Sequence, residues 1–218
     1  MKTIFIDTPH NPTPLQDLLE AFPDDAPGAV EMLEMIFGLP ALTRCSPTVL
    51  LYILARQYNY PEGRILEIGT HKGHTAAAIS WAAPQAKIIT IDPCTEFVEQ
   101  AKYLLIHHDA FGLNPPYANI EMINAYSWDM LAYYTGPYFD MIWVDGEHEV
   151  RMVEDLGWWN WLKIDGVMVF HDYYPLFPYV QGYVNMLRSR LGREYDVAIL
   201  RDGGTVGFYK REGDPEWT

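Results

Sequence analysis

The chain has 218 residues, 49% of them hydrophobic and 14% aromatic, and a formal net charge of -14. That length suits one α/β domain with a small extension, and that apolar content excludes general disorder. The acidic balance argues against nucleic acids and anionic membranes as partners.

Residues 1–7 carry neither a long apolar run nor a small-residue cleavage site, and no stretch reaches transmembrane length. The expectation is a soluble cytoplasmic protein. Cys45 and Cys94 form neither a metal-type spacing nor a disulfide framework. Residues 1–61 hold Pro9, Pro12, Pro14, Pro23, Pro27, Pro40 and Pro47, so helices there should be short and often broken. The best helical stretches are 29–37 and 47–58. Ser46-Pro47 opens the second, with Ser as cap and Pro at the first helical position. This region is expected to be a helical cap on a main domain spanning 62–218.

From Arg64 onward, apolar strands alternate with helical stretches. Strands are predicted at 64–69, 87–92, 120–124, 139–145 and 166–171, with helices at 74–82, 95–109, 127–134 and 148–162. An aromatic, proline-containing loop then leads to a helix at 180–191. Two last strands, 195–200 and 205–210, flank the turn signal Asp202-Gly203-Gly204. The sheet should be mostly parallel, with a terminal hairpin that introduces an antiparallel strand.

The first strand runs into Glu67-Ile68-Gly69-Thr70-His71-Lys72-Gly73 and then a helix. Such a turn places backbone N–H groups, a helix N-terminus and one acid around a crevice at the carboxyl end of the strand. It is not the dinucleotide fingerprint, because His71 stands where the middle glycine would be. A carboxylate there suits a ligand that brings its own cation, such as an amino-acid ammonium. Asp92 ends the second strand about twenty positions after Gly73, the place from which an acid holds ribose hydroxyls. It could equally cap the following helix. Ser127 can cap its own helix or face an adenine edge. The fourth strand ends in Asp145-Gly146-Glu147-His148 and the fifth in His171-Asp172. If those strands pair, two carboxylates and two imidazoles meet in one pocket, able to bind a divalent metal or move a proton. Aromatics of the 173–179 loop could roof a substrate or pack on Trp158, Trp159 and Trp161.

These motifs, in this order from Arg64 to Asp172, resemble those of class I S-adenosylmethionine-dependent methyltransferases. Within that class they are similar to the small catechol-type and sugar-type O-methyltransferases. The resemblance implies a Rossmann-like three-layer sandwich with a seven-stranded, mostly parallel sheet, a C-terminal antiparallel hairpin and an N-terminal helical cap. It implies S-adenosylmethionine binding by Glu67, Gly69, Thr70, His71, Gly73, Thr75, Asp92, Ser127 and Asp145, with Glu67 near the ammonium and Thr75 near the carboxylate. It implies a metal site at Asp145, His171 and Asp172. His148 stands where catechol-type enzymes have a catalytic lysine. Tyr173 replaces their asparagine metal ligand, and His171 replaces the first acid of the sugar-type pair. A nitrogen donor suits Mg²⁺ less well than oxygen, so another divalent ion, or direct base catalysis by His148 or His171 with Asp145 beside them, is expected. The implied activity is O-methylation of a small-molecule hydroxyl, by a chain that could form a homodimer. The competing expectations are a metal-dependent hydrolase or oxygenase built on Asp145, His148, His171 and Asp172, and a non-catalytic ligand-binding relative. Glu67 and Asp92 argue against the former, whose chemistry needs neither.

Overall fold

Ile65, Leu66 and Ile68, Ile88, Ile89 and Ile91, and the run from Met141 to Val144 are buried whichever way they point. Such runs belong to strands covered on both faces. In the computed structural model, which describes residues 4–6, 14–37, 46–107, 117–200 and 204–218, they form the middle of one sheet. Its strands are β1 (Ile4–Ile6), β2 (Arg64–Ile68), β3 (Lys87–Ile91), β4 (Ile120–Ile123), β5 (Phe139–Val144), β6 (Leu162–Phe170), β7 (Val197–Ile199) and β8 (Thr205–Tyr209). The order is β1-β7-β8-β6-β5-β2-β3-β4. Only β8 runs antiparallel to its neighbours, β6 and β7. The seven predicted strands are all present. An eighth, β1, pairs in parallel with β7 at the margin; three residues gave too little pattern to foresee it.

Helices cover both faces. α1 (Pro14–Ala21), α2 (Ala26–Phe37), α3 (Ser46–Arg56) and α4 (His74–Ala82) lie on one face. Leu18, Met32, Leu33, Val49 and Leu50 from the first three share a core with Ile65, Met141, Trp143, Val167 and Val169 of the sheet. The N-terminal helices are thus welded to the sheet through apolar contact. On the other face, α7 (Pro178–Leu191) and residues 150–161 pack Val180, Val184, Leu187, Leu156, Trp158 and Trp159 on Leu66, Ile68, Ile142, Val144 and Phe170. α5 (Thr95–His107) and the short α6 (Ser127–Met130) complete the chain. Residues 108 and 109 of the predicted fifth helix, and Asp202 and Gly203 of the predicted turn, lie outside the described residues.

Residues 148–162, expected as an α-helix, are a 3₁₀ stretch, Val150–Trp161. Met152, Asp155 and Trp158 are buried at a spacing of three, as are Leu156 and Trp159. A 3₁₀ turn superposes residues i and i+3, so it presents that pattern to the core better than 3.6 residues per turn would. β6 also starts earlier than predicted, at Leu162, because a register shift opposite Phe139 to Met141 absorbs the extra residues. Asp165 takes φ +66° within that irregularity.

The register places Ile68 beside Val144 and Val144 beside Phe170. Gly69, Asp145 and His171 therefore leave the sheet side by side. The connection from β2 goes out to β3 on one side and the next central strand lies on the other, which makes the β2–β5 junction the topological switch point where open α/β sheets bind ligands.

Candidate active site

A cavity of about 550 Å³ opens at that switch point. Its size is that of a small-molecule site. Gly69, Thr70, His71, Thr75, Asp92, Ser127, Asp145 and His148 all line it. Gly73 sits behind this wall as the cap of α4.

The turn that builds the cavity floor needs its glycines. Gly69 has φ +99°, and a Cβ there would stand 2.1 Å from the Asp145 carbonyl oxygen. No L side chain fits so close a backbone crossing. Gly73, at φ 85°, caps α4 without any side-chain hydrogen bond. The first N–H groups of α4 thus have no side-chain cap, and His74 and Thr75 of that turn line the cavity. A helix N-terminus in this state favours an anionic group such as a carboxylate.

Glu67 is fully buried one residue before the turn. Its Oε2 accepts a hydrogen bond from Thr90, whose hydroxyl also meets that of Thr70. Its Oε1 has no partner. Burial raises its pKa well above the ordinary value, with Asp145 and Asp92 adding to the rise and the Thr90 hydroxyl opposing it. A buried acceptor left unmatched costs free energy unless a donor arrives. Asp92 accepts the His71 N–H at 2.9 Å through Oδ2 and the Cys94 N–H at 2.8 Å through Oδ1. It therefore holds the turn and starts α5 while it lines the cavity, so both uses considered from the sequence coexist. His71 packs edge-on against Phe97 with ring centroids 4.5 Å apart.

Ser127 does not stand free. Its hydroxyl donates to the carboxylate of Asp155, a fully buried acid from the 3₁₀ stretch that also lines the cavity. Burial pushes the Asp155 carboxyl up to about 7, against the pull of that hydroxyl. Sequence reasoning missed Asp155. The signal was a lone acid on the three-residue ridge between Met152 and Trp158.

Asp145 and His148 line the cavity, and His171 and Asp172, which do not, come against them from the end of β6, as strand pairing required. His148 Nε2 and Asp172 Oδ2 share a hydrogen bond of 2.9 Å, and the His148 ring stacks on Phe177 at 4.5 Å. That bond raises the His148 pKa, with burial opposing it. His171 Nδ1 lies 3.1 Å from Asp172 and 3.3 Å from Asp145, close enough for an ion pair but without hydrogen-bond alignment. Burial disfavours its charged form, yet the two carboxylates hold its pKa well above the usual imidazole range. Burial likewise pushes Asp172 up, but the two imidazoles more than reverse this and keep it below the ordinary carboxylate range.

Among the described residues, the three that converge like metal ligands are Asp145, His148 and Asp172, with ligand atoms within 4.8 Å of one another. His171, the imidazole expected as a ligand from the sequence, faces the same two carboxylates from within ion-pair distance, whereas His148 completes the converging set. Tyr173, at the position of the family's asparagine ligand, points elsewhere: its hydroxyl bonds to Tyr195 at 2.7 Å and to Asn185 at 3.2 Å. The donor set is not the all-oxygen cage that suits Mg²⁺. Two carboxylates and one imidazole suit a borderline divalent ion, provided His148 is neutral.

The seven strands β2 to β8, in this order with β8 antiparallel and a cavity at the strand ends, form the Rossmann-like fold of class I S-adenosylmethionine-dependent methyltransferases, to which β1 adds an eighth strand at the margin. Residues 66–173, the segment that holds most of the site, match the family described as a methyltransferase domain. No curated protein matches the chain in sequence. Among solved structures, the chain resembles the O-methyltransferase TomG from Streptomyces achromogenes, involved in tomaymycin synthesis and solved with S-adenosylmethionine; the two are 24% identical over 84% of this chain and 89% of that one, with a TM-score of 0.55. It also resembles the S-adenosylhomocysteine-bound methyltransferase PaMTH1 of Podospora anserina, at 16% identity over 96% and 100% of the chains and a TM-score of 0.61. An rRNA methylase from Streptococcus thermophilus shares the fold at 14% identity over 76% and 97%, with a TM-score of 0.57. Likeness at these identities shows a shared fold, in agreement with the family match over residues 66–173, and leaves the acceptor to the site. Among the described residues no helix is long and apolar enough to cross a membrane.

Proposed function

We propose that this methyltransferase transfers a methyl group from S-adenosylmethionine to a hydroxyl of a small molecule, with His148 as base. The observation that carries this is the His148–Asp172 hydrogen bond at the end of the cavity. When bound, S-adenosylmethionine supplies an electrophilic methyl group on a sulfonium. The unmatched Glu67 Oε1 supports an ammonium donor beside it, the start of α4 supports a carboxylate, and Asp92 supports ribose hydroxyls. With Nε2–H donated to Asp172, His148 keeps a lone pair on Nδ1 for the acceptor hydroxyl. The proton moves to His148 as the acceptor oxygen attacks; the new C–O bond forms while the C–S electron pair stays with sulfur. Asp172 stabilises the imidazolium that results, and His171 sets the charge of Asp145 and Asp172. Most of the acceleration comes from positioning and charge stabilisation. The acidic surface, at a net charge of -14, supports a small acceptor over a nucleic acid.

Asp145, His148 and Asp172 would hold a divalent ion, if one binds, and it would lower the pKa of an acceptor hydroxyl. The test is calorimetry with S-adenosylhomocysteine, then turnover on phenolic and sugar hydroxyls with EDTA or with added divalent metal. Binding with EDTA-resistant turnover is expected. Absence of binding sinks the cofactor assignment, and turnover that needs metal transfers the leading role from His148 to the ion.

A further inference from the structure

His148 lies on the segment between β5 and the 3₁₀ stretch, outside any regular element. A side chain there keeps its rotamer freedom unless neighbours remove it. The bond to Asp172 pins the imidazole at one atom, Nε2, and by itself lets the ring swing about that point. A second constraint comes from Phe177, whose ring centroid lies 4.5 Å from that of the imidazole with 28° between the planes. Such a stack fixes the plane of the ring, which one hydrogen bond cannot do.

Phe177 is itself well held. It directly precedes Pro178, the first residue of α7, and the proline restricts its backbone. Its N–H bonds the Tyr174 carbonyl at 2.8 Å, and its carbonyl accepts the Gln181 N–H at 3.2 Å. Tyr174, Leu176 and Tyr179 of the same loop are exposed, whereas Phe177 is half-buried and packs against the core that holds Val180 and Val184 of α7. Further along α7, the Tyr183 hydroxyl donates to the carbonyl of Val150, two residues past His148, at 2.6 Å. One helix thus braces the His148 segment at two points. His148 lines the cavity and Phe177 does not, so the route from Phe177 to a ligand runs through His148.

Resting on the base assigned above, we propose that Phe177 is the positioning residue of His148: the stacked ring and the bond to Asp172 together hold the imidazole in one orientation at the cavity. Phe177 takes no part in the proton or methyl transfer. Leucine in its place keeps an apolar side chain and loses the flat face, so the imidazole turns and its bond to Asp172 opens.

The first experiment is nuclear magnetic resonance on the full chain with ¹⁵N-labelled histidines in EDTA, with His148→Ala to assign the His148 signals. It needs no acceptor. In the wild type the His148 ring protons should be shifted by the Phe177 ring, and the Nε2–H proton should be protected from exchange with water. In Phe177→Leu both signatures should be lost while far-ultraviolet circular dichroism stays the same. A wild type without them, or a folded Phe177→Leu that keeps the protected proton, overturns the proposal. If Phe177→Leu does not fold, Phe177→Met gives the same readouts. Turnover is then measured on the phenolic or sugar acceptor that the wild type methylates. Phe177→Leu should lower kcat on the order of tenfold with KM unchanged, since a misplaced reacting group slows chemistry more than binding. Phe177→Tyr, which restores a stacked ring, should recover most of the rate, and absence of recovery overturns the proposal. In a His148→Ala background, Phe177→Leu should cost nothing further; a second loss there would mean that Phe177 acts on its own and overturns the proposal. A His148→Ala chain that keeps the full wild-type rate overturns the base assignment instead, so the two failures are distinguishable.

Discussion

At the scale of single residues, the site is a set of charges that hold one another. His148 can act as base only after it loses its proton, and Asp172 holds that proton on. The rate should therefore climb with pH along a limb set above the ordinary histidine value of about 6.5. Asp172→Asn should shift that limb to lower pH, and His148→Ala should cut kcat by about 10²–10⁴ while affinity for S-adenosylhomocysteine changes little. A pH–rate profile that Asp172→Asn leaves in place would show that the pair does not act together. Glu67 gives a prediction of opposite kind. Its folded-state pKa is raised, so the stability it contributes is complete below its unfolded value, about 4.3, and is lost as pH rises through the folded value. Glu67→Gln, which stays neutral, should melt a few degrees above the wild type at pH 9 and near it at pH 5 in the absence of ligand, while binding S-adenosylhomocysteine more weakly. A melting curve that does not separate the two proteins at pH 9 removes the buried neutral carboxyl from the account.

At the scale of elements, the strand-to-helix turn is the most demanding piece of backbone. Gly69→Ala forces a Cβ against the Asp145 carbonyl in a conformation that side chains rarely adopt. Unfolding in urea should show a loss of about 2 kcal/mol or more. The turn was legible in the sequence because a continuous apolar strand ends there in an acid and a glycine, a local pattern. The clustering of the two acid–imidazole ends was legible only on the condition that their strands pair, which β5 and β6 do. What escaped depended on distant partners. β1 is held by strand β7, more than 190 positions away in sequence, and nothing local marks Ile4–Ile6 as a strand. The stretch before β6 carried apolar residues that fit a helix, and only burial against the sheet selected the three-residue period. Asp155 went unnoticed with it, since its role depends on that period and on a hydroxyl from another element. His148 and His171 were both named, but that the first bonds Asp172 and the second lies between Asp145 and Asp172 is set by angles and burial that residue order does not carry.

At the scale of the whole molecule, the N-terminal helices and the sheet should behave as one cooperative unit. Leu50 of α3 is fully buried in the same core as Val167 and Val169 of β6. Leu50→Ala should cost about 2–5 kcal/mol and lower the melting of the entire chain in a single transition, as seen by far-ultraviolet circular dichroism and tryptophan fluorescence together. Two separated transitions would make the N-terminal region a domain of its own. The sheet order has a further effect at its two margins. Among the described residues, one ends in β1, three residues long, and the other in β4, four residues long. On β4, Glu121 forms an ion pair with Lys87 of the neighbouring strand at 2.7 Å. Open sheet edges can recruit strands from other chains, and short or charged edge strands blunt that tendency. Among the described residues the sheet tapers to a short strand on each side, the form that offers little bare backbone for another chain's strand, while its broad centre carries the candidate site.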